Sequence, residues 1–370
     1  MMNFISRLIR RDGATVPSMD GVLRPNSRLD EAPVLAAAAE PDNLAASGDD
    51  LVFSSASALY RLTPASKGEP EQIQAFDAAV TALAASPDGV LAVGLSGEGI
   101  RVIGGAHDGV QFDRLGLLPA LGPTALCFDG PHTLFVAIGS THNAPDEWQR
   151  DLMERRSSGS VWKIDLKTKA ATVIADGLAF PNGLLVHDGV LVVSESWNHR
   201  LLRFDLQKPK PRPQILVDDL PGYPGRLSAS ADGGAWLAVF APRSQLIEFV
   251  LRERGYCSRM LEGLPKEYWI APSLRSGLSF REPMQGGAVR VHGIYKPWAP
   301  TRSYGLAVRL GPDLQPLQSF HSRADGNRHG VVSICEWNGA TAFASRGNGV
   351  IGAIMPDAEG DTLNQMGRDR

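Results

Sequence analysis

The sequence predicts an all-β fold, a single six-bladed β-propeller with two inserted segments, from three observations. First, Leu44–Ser47 recurs as Leu83–Ser86, and each copy leads through a turn into another apolar strand. Second, the chain holds 39 glycines and 26 prolines among 370 residues, which supplies many turns. Third, the cycle of apolar strand, turn, apolar strand and amphipathic strand occurs six times, with equivalent positions at Asp42, Thr81, Thr124, Asn182, Gly225 and Val332. A regular repeat of hairpin-linked strands favours a propeller over a two-sheet sandwich.

The predicted propeller spans residues 31–356, between an N-terminal extension at 1–30 and a polar tail at 357–370. The sixth repeat supplies only three strands. We therefore expect the segment Val34–Ala36 to add the fourth strand of the last blade and so to close the ring. Closure of this type removes exposed sheet edges.

The composition excludes several classes of protein. Lys plus Arg is 37 and Asp plus Glu is 40, a formal charge of −3, so a general nucleic-acid binder is excluded. No apolar run is long enough for a transmembrane segment, and the N-terminus lacks the continuous apolar core of a signal peptide. Three cysteines give no disulfide framework. We expect a cytoplasmic protein with a small-molecule partner; nothing in the sequence indicates an oligomeric state.

The repeat register predicts where a site lies. Each equivalent residue stands where an innermost strand begins, so the six side chains would surround the mouth of the central tunnel. Arg226 follows directly after the glycine of the fifth repeat. Because the ring is mostly polar, it favours a ligand site over a purely structural tunnel.

Two insertions, at residues 141–159 and 251–302, interrupt the repeats. The first contains Pro145-Asp146-Glu147, which predicts the start of a short helix. The second is rich in aromatic and basic residues. Long insertions in a compact fold often form lids, so we expect Asn143–Arg156 and Tyr256–Trp298 to cover the same tunnel mouth, where His142 and His292 would reach a ligand. The alternative, that the aromatic side chains only pack the insertion onto the propeller edge, carries equal weight.

The segment Gly177–Leu184, followed by Val190–Phe204, resembles the strictosidine-synthase-like family of six-bladed propellers, a group that also includes gluconolactonases and paraoxonases. Two further matches are Leu220–Pro224 and Gly305–Leu310. The likeness spans residues 40–355 and includes both insertions. It is specific for fold and much less so for function, because function depends on the site.

The resemblance implies a calcium site only in part. Metal-dependent members of that group hold calcium with a Glu, two Asn and an Asp or Asn at the starts of inner strands. The matching residues in this chain are Asp42, Thr124, Asn182 and Gly225. Calcium takes about six to eight oxygen ligands, and Arg226 adds a positive charge. We therefore expect no cofactor, or at most weak calcium held by Asp42 and Asn182.

The resemblance does not extend to strictosidine synthesis itself. The glutamate that acts as general acid/base in that condensation matches Val332, which cannot transfer a proton. The nearest acid, Glu336, lies four residues further along the strand and so away from the tunnel mouth.

Other catalytic motifs are weak. The histidines show no zinc spacing, and a surface or loop position is the default for them. Gly347–Gly352 fits a glycine-rich dinucleotide pattern, but no helix follows it, so a turn is predicted. Glu195 is expected to form a structural ion pair with Arg200 or Arg203.

Three function classes remain open. The favoured one is an enzyme that hydrolyses a lactone or ester of a small, partly apolar molecule, with Asp42 and Asn182 as catalytic residues. Its predicted substrate-binding residues are Thr81, Thr124, Arg226, Val332, His142 and His292. The alternatives are a metal-free lyase or condensing enzyme, and a non-catalytic propeller that binds a ligand or a protein.

Overall fold

The computed structural model describes residues 15–208, 211–278, 282–283, 290–291, 294–295 and 301–356. It contains six four-stranded antiparallel sheets, whose inner strands contact one another in order and close into a ring. From the tunnel outward, blade 1 contains Pro41–Ser47, Asp50–Ser55, Ala58–Leu62 and Glu71–Ala75; blade 2 contains Val80–Ala85, Leu91–Leu95, Gly99–Ile103 and Gln111–Phe112; blade 3 contains Pro123–Phe128, Thr133–Ile138, Gly159–Asp165 and Ala170–Leu178. Blade 4 contains Pro181–His187, Val190–Glu195, Arg200–Asp205 and Gln214–Val217; blade 5 contains Gly222–Ala229, Ala235–Pro242, Gly305–Leu310 and Pro316–Ser322; blade 6 contains Val331–Trp337, Ala340–Ser345, Val350–Ile354 and Val34–Ala37. The six-bladed propeller is confirmed.

The ring closes as predicted, through the N-terminal strand. Val34–Ala37 pairs antiparallel with Val350–Ile354, with Ala37 opposite Val350. The last blade thus takes its outer strand from the start of the chain, which joins the two ends of the chain in one sheet and closes the ring.

The second strand of each blade forms the core. In Leu91–Leu95 and Ala235–Pro242 every residue is buried, because both faces of these strands pack against neighbouring blades. The largest fully buried side chains include Phe53, Phe135 and Phe204, which lie on the second or third strands of blades 1, 3 and 4. The core therefore lies between the blades, and of the ring residues Val332 belongs to it.

Each inner strand is irregular near its predicted ring position. The pairing register skips Thr81, Thr124, Asn182 and Val332, and in blade 1 it shifts just after Asp42. In blade 5 the register skips Gly225 and Arg226 together. A bulge leaves a residue out of the ladder and re-aims its side chain. This is why equivalent positions in six blades can all face the tunnel.

The helices lie outside the blades. The first insertion forms a 3₁₀ turn at Pro145–Glu147 and a helix at Trp148–Glu154, so the predicted helix start is confirmed. The helix Gln245–Val250 lies just before the second insertion, which forms a helix at Arg254–Gly263 and a 3₁₀ turn at Lys266–Tyr268. The remaining short elements are Gly21–Leu23, Arg28–Glu31, Gly105–His107 and Ser196–Asn198, and the two-residue strands Arg114–Leu115, Leu118–Pro119, Arg290–Val291 and Ile294–Tyr295. Among the described residues no helix is long and apolar enough to cross a membrane.

The two insertions contact each other. The side chain of Gln149 donates to the carbonyl of Pro272 at 2.7 Å, and Lys266 donates to the carbonyl of Asp146 at 2.9 Å. The guanidinium of Arg150 lies 5.3 Å from the centre of the Trp269 ring. The described parts of both insertions therefore form one layer on the same side of the propeller.

The expectation that the histidines lie in loops or on the surface is wrong for His321, which lies on the strand Pro316–Ser322; His199 and His329 lie between strands, as expected. His199, His321 and His329 are buried. His321 is fully enclosed, where its ring bonds to the hydroxyl of Tyr304 at 3.1 Å and to that of Ser319 at 2.7 Å. A polar ring can be buried when both of its nitrogens have partners, and a sequence does not show such pairing.

Burial lowers the pKa of His321 to about 4, which predicts acid instability. The unfolded chain binds a proton near the ordinary pKa, and the folded chain binds it only near 4. His321 therefore contributes stability above pH 6.5 that is lost as the pH falls toward 4, up to about 3 kcal/mol. Urea unfolding at pH 7 and pH 4.5 measures this loss. His321→Gln should reduce it, whereas the exposed His142→Gln should leave it unchanged; equal losses in all three proteins would contradict the assignment.

Candidate functional site

A cavity of about 110 Å³ lies at the tunnel mouth. All the ring side chains predicted from the repeats line it, together with Arg226, which takes the place of the glycine of blade 5. These residues are Asp42, Thr81, Thr124, Asn182, Arg226 and Val332. The repeat register thus brings residues that are far apart in sequence to one point.

Asp42 lies between two arginines at this cavity. Arg226 approaches one carboxylate oxygen of Asp42 at 3.0 Å, and Arg346 approaches the other at 3.4 Å. The main-chain N–H of Asn43 also donates to Asp42 at 2.7 Å. Arg346 forms a second ion pair, at 2.9 Å, with the more exposed Glu40. Two carboxylates and two guanidiniums therefore balance each other, and Asp42 is held in one orientation.

Arg226 is also fixed through its other hydrogen bonds. It donates to the carbonyl of Thr81 at 2.9 Å and to that of Val332 at 3.4 Å. Burial lowers the pKa of Arg226, the charge of Asp42 opposes this effect, and Arg346 adds to it. An arginine guanidinium nevertheless stays protonated in proteins, so the site keeps this positive charge.

The two ring threonines differ. The hydroxyl of Thr124 donates to the carbonyl of Pro181 at 2.6 Å and so ties blade 3 to blade 4. The hydroxyl oxygen of Thr81 is buried and has no hydrogen-bond partner among the described residues. A buried polar atom of this kind is usually satisfied by water or a ligand. Thr81 is therefore the ring hydroxyl that a bound molecule can use.

The upper wall of the cavity is aromatic. Trp148 comes from the first insertion, Phe180 from the turn before blade 4 and Phe240 from blade 5. The rings of Trp148 and Phe240 meet edge to face at 5.4 Å, and Trp197 stacks behind Phe180 at 4.5 Å. This wall suits an apolar portion of a small molecule.

Both insertions contribute to the lining. Pro145, Asp146 and Trp148 come from the first, and Leu274 from the second. Tyr256, Tyr268 and Trp269 of the second insertion do not line the cavity. Trp269 is buried and donates to the carbonyl of Leu264. Its ring therefore packs within the insertion layer and does not contact a ligand in the cavity.

Of the two predicted histidines, the described one, His142, does not join the lining. His142 is exposed, and its ring lies 3.1 Å from the hydroxyl of Thr141 and 3.2 Å from that of Ser158, outside the cavity. His292 lies outside the described residues.

Sequence reasoning missed Glu40, Trp148, Phe180, Phe240 and Arg346. For Arg346 the sequence did contain a signal. It is a cation directly after the second strand of blade 6, in Ser345-Arg346-Gly347.

Glu336, the acid nearest to Val332 in the sequence, and Glu195 both have structural partners. Glu336 accepts hydrogen bonds from Ser230, from the main-chain N–H of Ala231 and from Trp236, and it does not line the cavity. Burial alone would raise the pKa of Glu336, but these hydrogen bonds outweigh it and lower the pKa. Glu195 pairs with Arg200 at 2.5 Å, which confirms the predicted ion pair.

Comparison with known proteins confirms the resemblance to strictosidine-synthase-like propellers. The family model described as strictosidine synthase matches residues 131–209. A strictosidine synthase-like protein of Arabidopsis thaliana is 34% identical over 90 residues, which cover 24% of this chain and 22% of that protein. The adipocyte plasma membrane-associated protein of Bos taurus is 27% identical over 283 residues, which cover 66% of each chain. This chain thus matches less than two thirds of the length of these curated relatives.

Solved structures support the same fold. A gluconolactonase from Xanthomonas campestris superposes with a TM-score of 0.56 at 12% identity, covering 91% of this chain and 96% of that one. A structure described as a putative gluconolactonase gives a TM-score of 0.53 at 12% identity, covering 87% and 91%. At this identity the likeness shows the six-bladed fold alone.

Proposed function

We propose that the protein is an enzyme that hydrolyses a lactone or another ester of a small, partly apolar molecule at the tunnel mouth. One observation carries the proposal: the Asp42 carboxylate lies between two guanidiniums, below an aromatic wall, in a cavity open to small molecules. A base, a positive group and an apolar surface are the parts that metal-free ester hydrolysis needs. The gluconolactonase neighbours support this choice of reaction by analogy of fold.

In this proposal Asp42 is the general base. It takes a proton from a water molecule as the water oxygen attacks the carbonyl carbon of the substrate. The ring C–O bond of the lactone, or the ester C–O bond, then breaks, and the proton passes from Asp42 to the departing alkoxide. The products are a hydroxy acid from a lactone, or an acid and an alcohol from an ester.

In this proposal Arg346 stabilises the negative charge that develops on the carbonyl oxygen. The side chain of Arg346 is 34% exposed, whereas that of Arg226 is 15% exposed. The N–H groups of Arg226 already donate to two main-chain carbonyls. Arg346 therefore keeps N–H groups that can turn toward a substrate. Asn182 and the free hydroxyl of Thr81 would hold the remaining polar atoms of the substrate, and Trp148 its apolar part.

The competing classes have less support at this site. A condensing enzyme needs an acid/base where Val332 stands, and Glu336 is committed to the other end of the strand. A purely binding propeller would not require a charged pair aimed at the cavity. Saturable binding of lactones without turnover would nevertheless favour the binding class over the hydrolase.

We expect Arg346→Gln to lower kcat/KM for the best lactone or ester substrate by about 100-fold, because it removes a charged donor from the developing oxyanion. Hydrolysis of a panel of aliphatic and aromatic lactones and esters, followed by titration of the released acid, measures the effect. The matched control is Arg203→Gln, which changes the same residue type on an exposed strand position. Equal activity of both variants would rule out the role assigned to Arg346.

A further inference from the structure

Arg226 reaches across the tunnel mouth. Its side chain leaves the inner strand of blade 5, and its guanidinium contacts the Asp42 carboxylate of blade 1, the Thr81 carbonyl of blade 2 and the Val332 carbonyl of blade 6. The three nitrogen-to-oxygen distances are 3.0, 2.9 and 3.4 Å. One cationic group is thus surrounded by oxygen atoms from three other blades.

These converging oxygens are of the type that a hard metal cation prefers, namely a carboxylate and main-chain carbonyls. Metal-dependent propellers of the group that this chain resembles hold calcium at the equivalent ring positions. In this chain, Gly225 supplies no side-chain donor at the ring position of blade 5. Its neighbour Arg226 instead fills the space between the oxygens with N–H groups.

The charges at this point also disfavour a divalent ion. Asp42 and Glu40 carry two negative charges, and Arg226 and Arg346 already balance them. A calcium ion at this point would not have free oxygen ligands, because these oxygens already accept hydrogen bonds from Arg226. It would also lie close to two positively charged guanidiniums. Asn182 remains as a ring amide, but one amide does not complete a shell of about six to eight oxygens. The residues present therefore do not fit calcium.

We propose that the guanidinium of Arg226 is the resident cation of this tunnel and takes the place of the divalent metal ion of metal-dependent propellers. The positive charge is then part of the chain, so chelators do not remove it and metal supply does not regulate it. This inference is independent of the proposed hydrolysis, because it would hold equally for a non-catalytic binding protein.

The test is a calcium titration of Arg226→Ala by isothermal calorimetry, after dialysis against a chelator. The variant frees the oxygens of Asp42, Thr81 and Val332, and we expect it to gain a single calcium site with a Kd of about 0.1 to 1 mM. The unmodified protein should show no saturable binding in the same range. Calcium should also raise the melting temperature of the variant and leave that of the unmodified protein unchanged.

The control is Arg346→Ala, which removes the other cation of Asp42 and leaves Arg226 in place, so it should gain no calcium site. Equal calcium binding by both variants would show a general charge effect and overturn the proposal. A folded Arg226→Ala protein that binds no calcium would also overturn it. If Arg226→Ala does not fold, the calcium titration of the unmodified protein still tests the proposal. Calcium binding by the unmodified protein that is lost in Asp42→Asn would exclude Arg226 as the resident cation.

Discussion

Asp42→Asn should lower kcat/KM for ester or lactone hydrolysis by about 1000-fold, within the usual range for loss of a positioned general base. The substitution keeps the shape of the side chain but removes its capacity to accept a proton at neutral pH. The amide also pairs less well with Arg226 and Arg346, so both guanidiniums lose their shared partner. Steady-state hydrolysis of the best substrate measures the loss, with the exposed Asp188→Asn as the control.

The same substitution should also reduce stability, and the two effects can be separated. Asp42→Asn leaves Arg226 buried without its counter-charge, which costs about 3 kcal/mol. The double variant Asp42→Asn with Arg226→Met removes both charges and should recover much of the stability measured by urea unfolding. It should not recover activity. If activity returned together with stability, Asp42 would be a structural residue rather than the base.

The fold could be predicted because each blade repeats one local pattern. The apolar second strands, the Gly/Asp turns and the shared ring positions are all visible in the sequence, and closure follows from the three strands of the last repeat. The ring residues were accessible for the same reason. Asp42, Thr81, Thr124, Asn182 and Val332 stand at the same point of the cycle and therefore at the same height in the tunnel.

The rest of the site lies where the repeat gives no information. Trp148 belongs to an inserted helix whose position over the tunnel depends on contacts with the second insertion. Phe180 has a φ of +59° in the turn before blade 4, and this local geometry aims its ring in a direction that no strand pattern predicts. Arg346 follows the second strand of blade 6, whereas the repeat pattern identifies ring residues only on the innermost strands.

The buried histidines show a different limit. Burial of His321 requires Tyr304 and Ser319 to lie on either side of its ring. Ser319 is two residues away on the same strand, whereas Tyr304 lies just before the strand Gly305–Leu310, which pairs with the strand of His321 only in the fold. A pattern of apolar residues gives no sign of such polar satisfaction. The same holds for Arg226. Its position next to Gly225 predicts a cation near the ring, but the sequence does not show that this cation contacts blades 1, 2 and 6.

Gly183→Ala should be among the most destabilising single changes in the chain, although it adds one methyl group. Gly183 follows the ring residue of blade 4, where the inner strand of blade 4 packs against that of blade 5. A Cβ there would overlap the carbonyl oxygen of Gly225 and lie 2.8 Å from the hydroxyl of Ser194 and 3.0 Å from the Cα of Arg226. Main chain cannot turn aside as a flexible side chain can, so we expect a loss of more than about 3 kcal/mol.

The expected consequence extends to the site, because the displaced segment carries Arg226. If the strand of blade 5 moves to admit the methyl group, the contacts of Arg226 with blades 1, 2 and 6 should weaken, and hydrolysis should fall even in protein that remains folded. The matched control is Gly263→Ala at the end of a helix, where a Cβ meets no atom within 4 Å. That variant should keep or raise its stability by up to about 1 kcal/mol. Urea unfolding and substrate turnover of both variants make the comparison, and equal stability of the two would contradict the close contact between blades 4 and 5 on which the position of Arg226 depends.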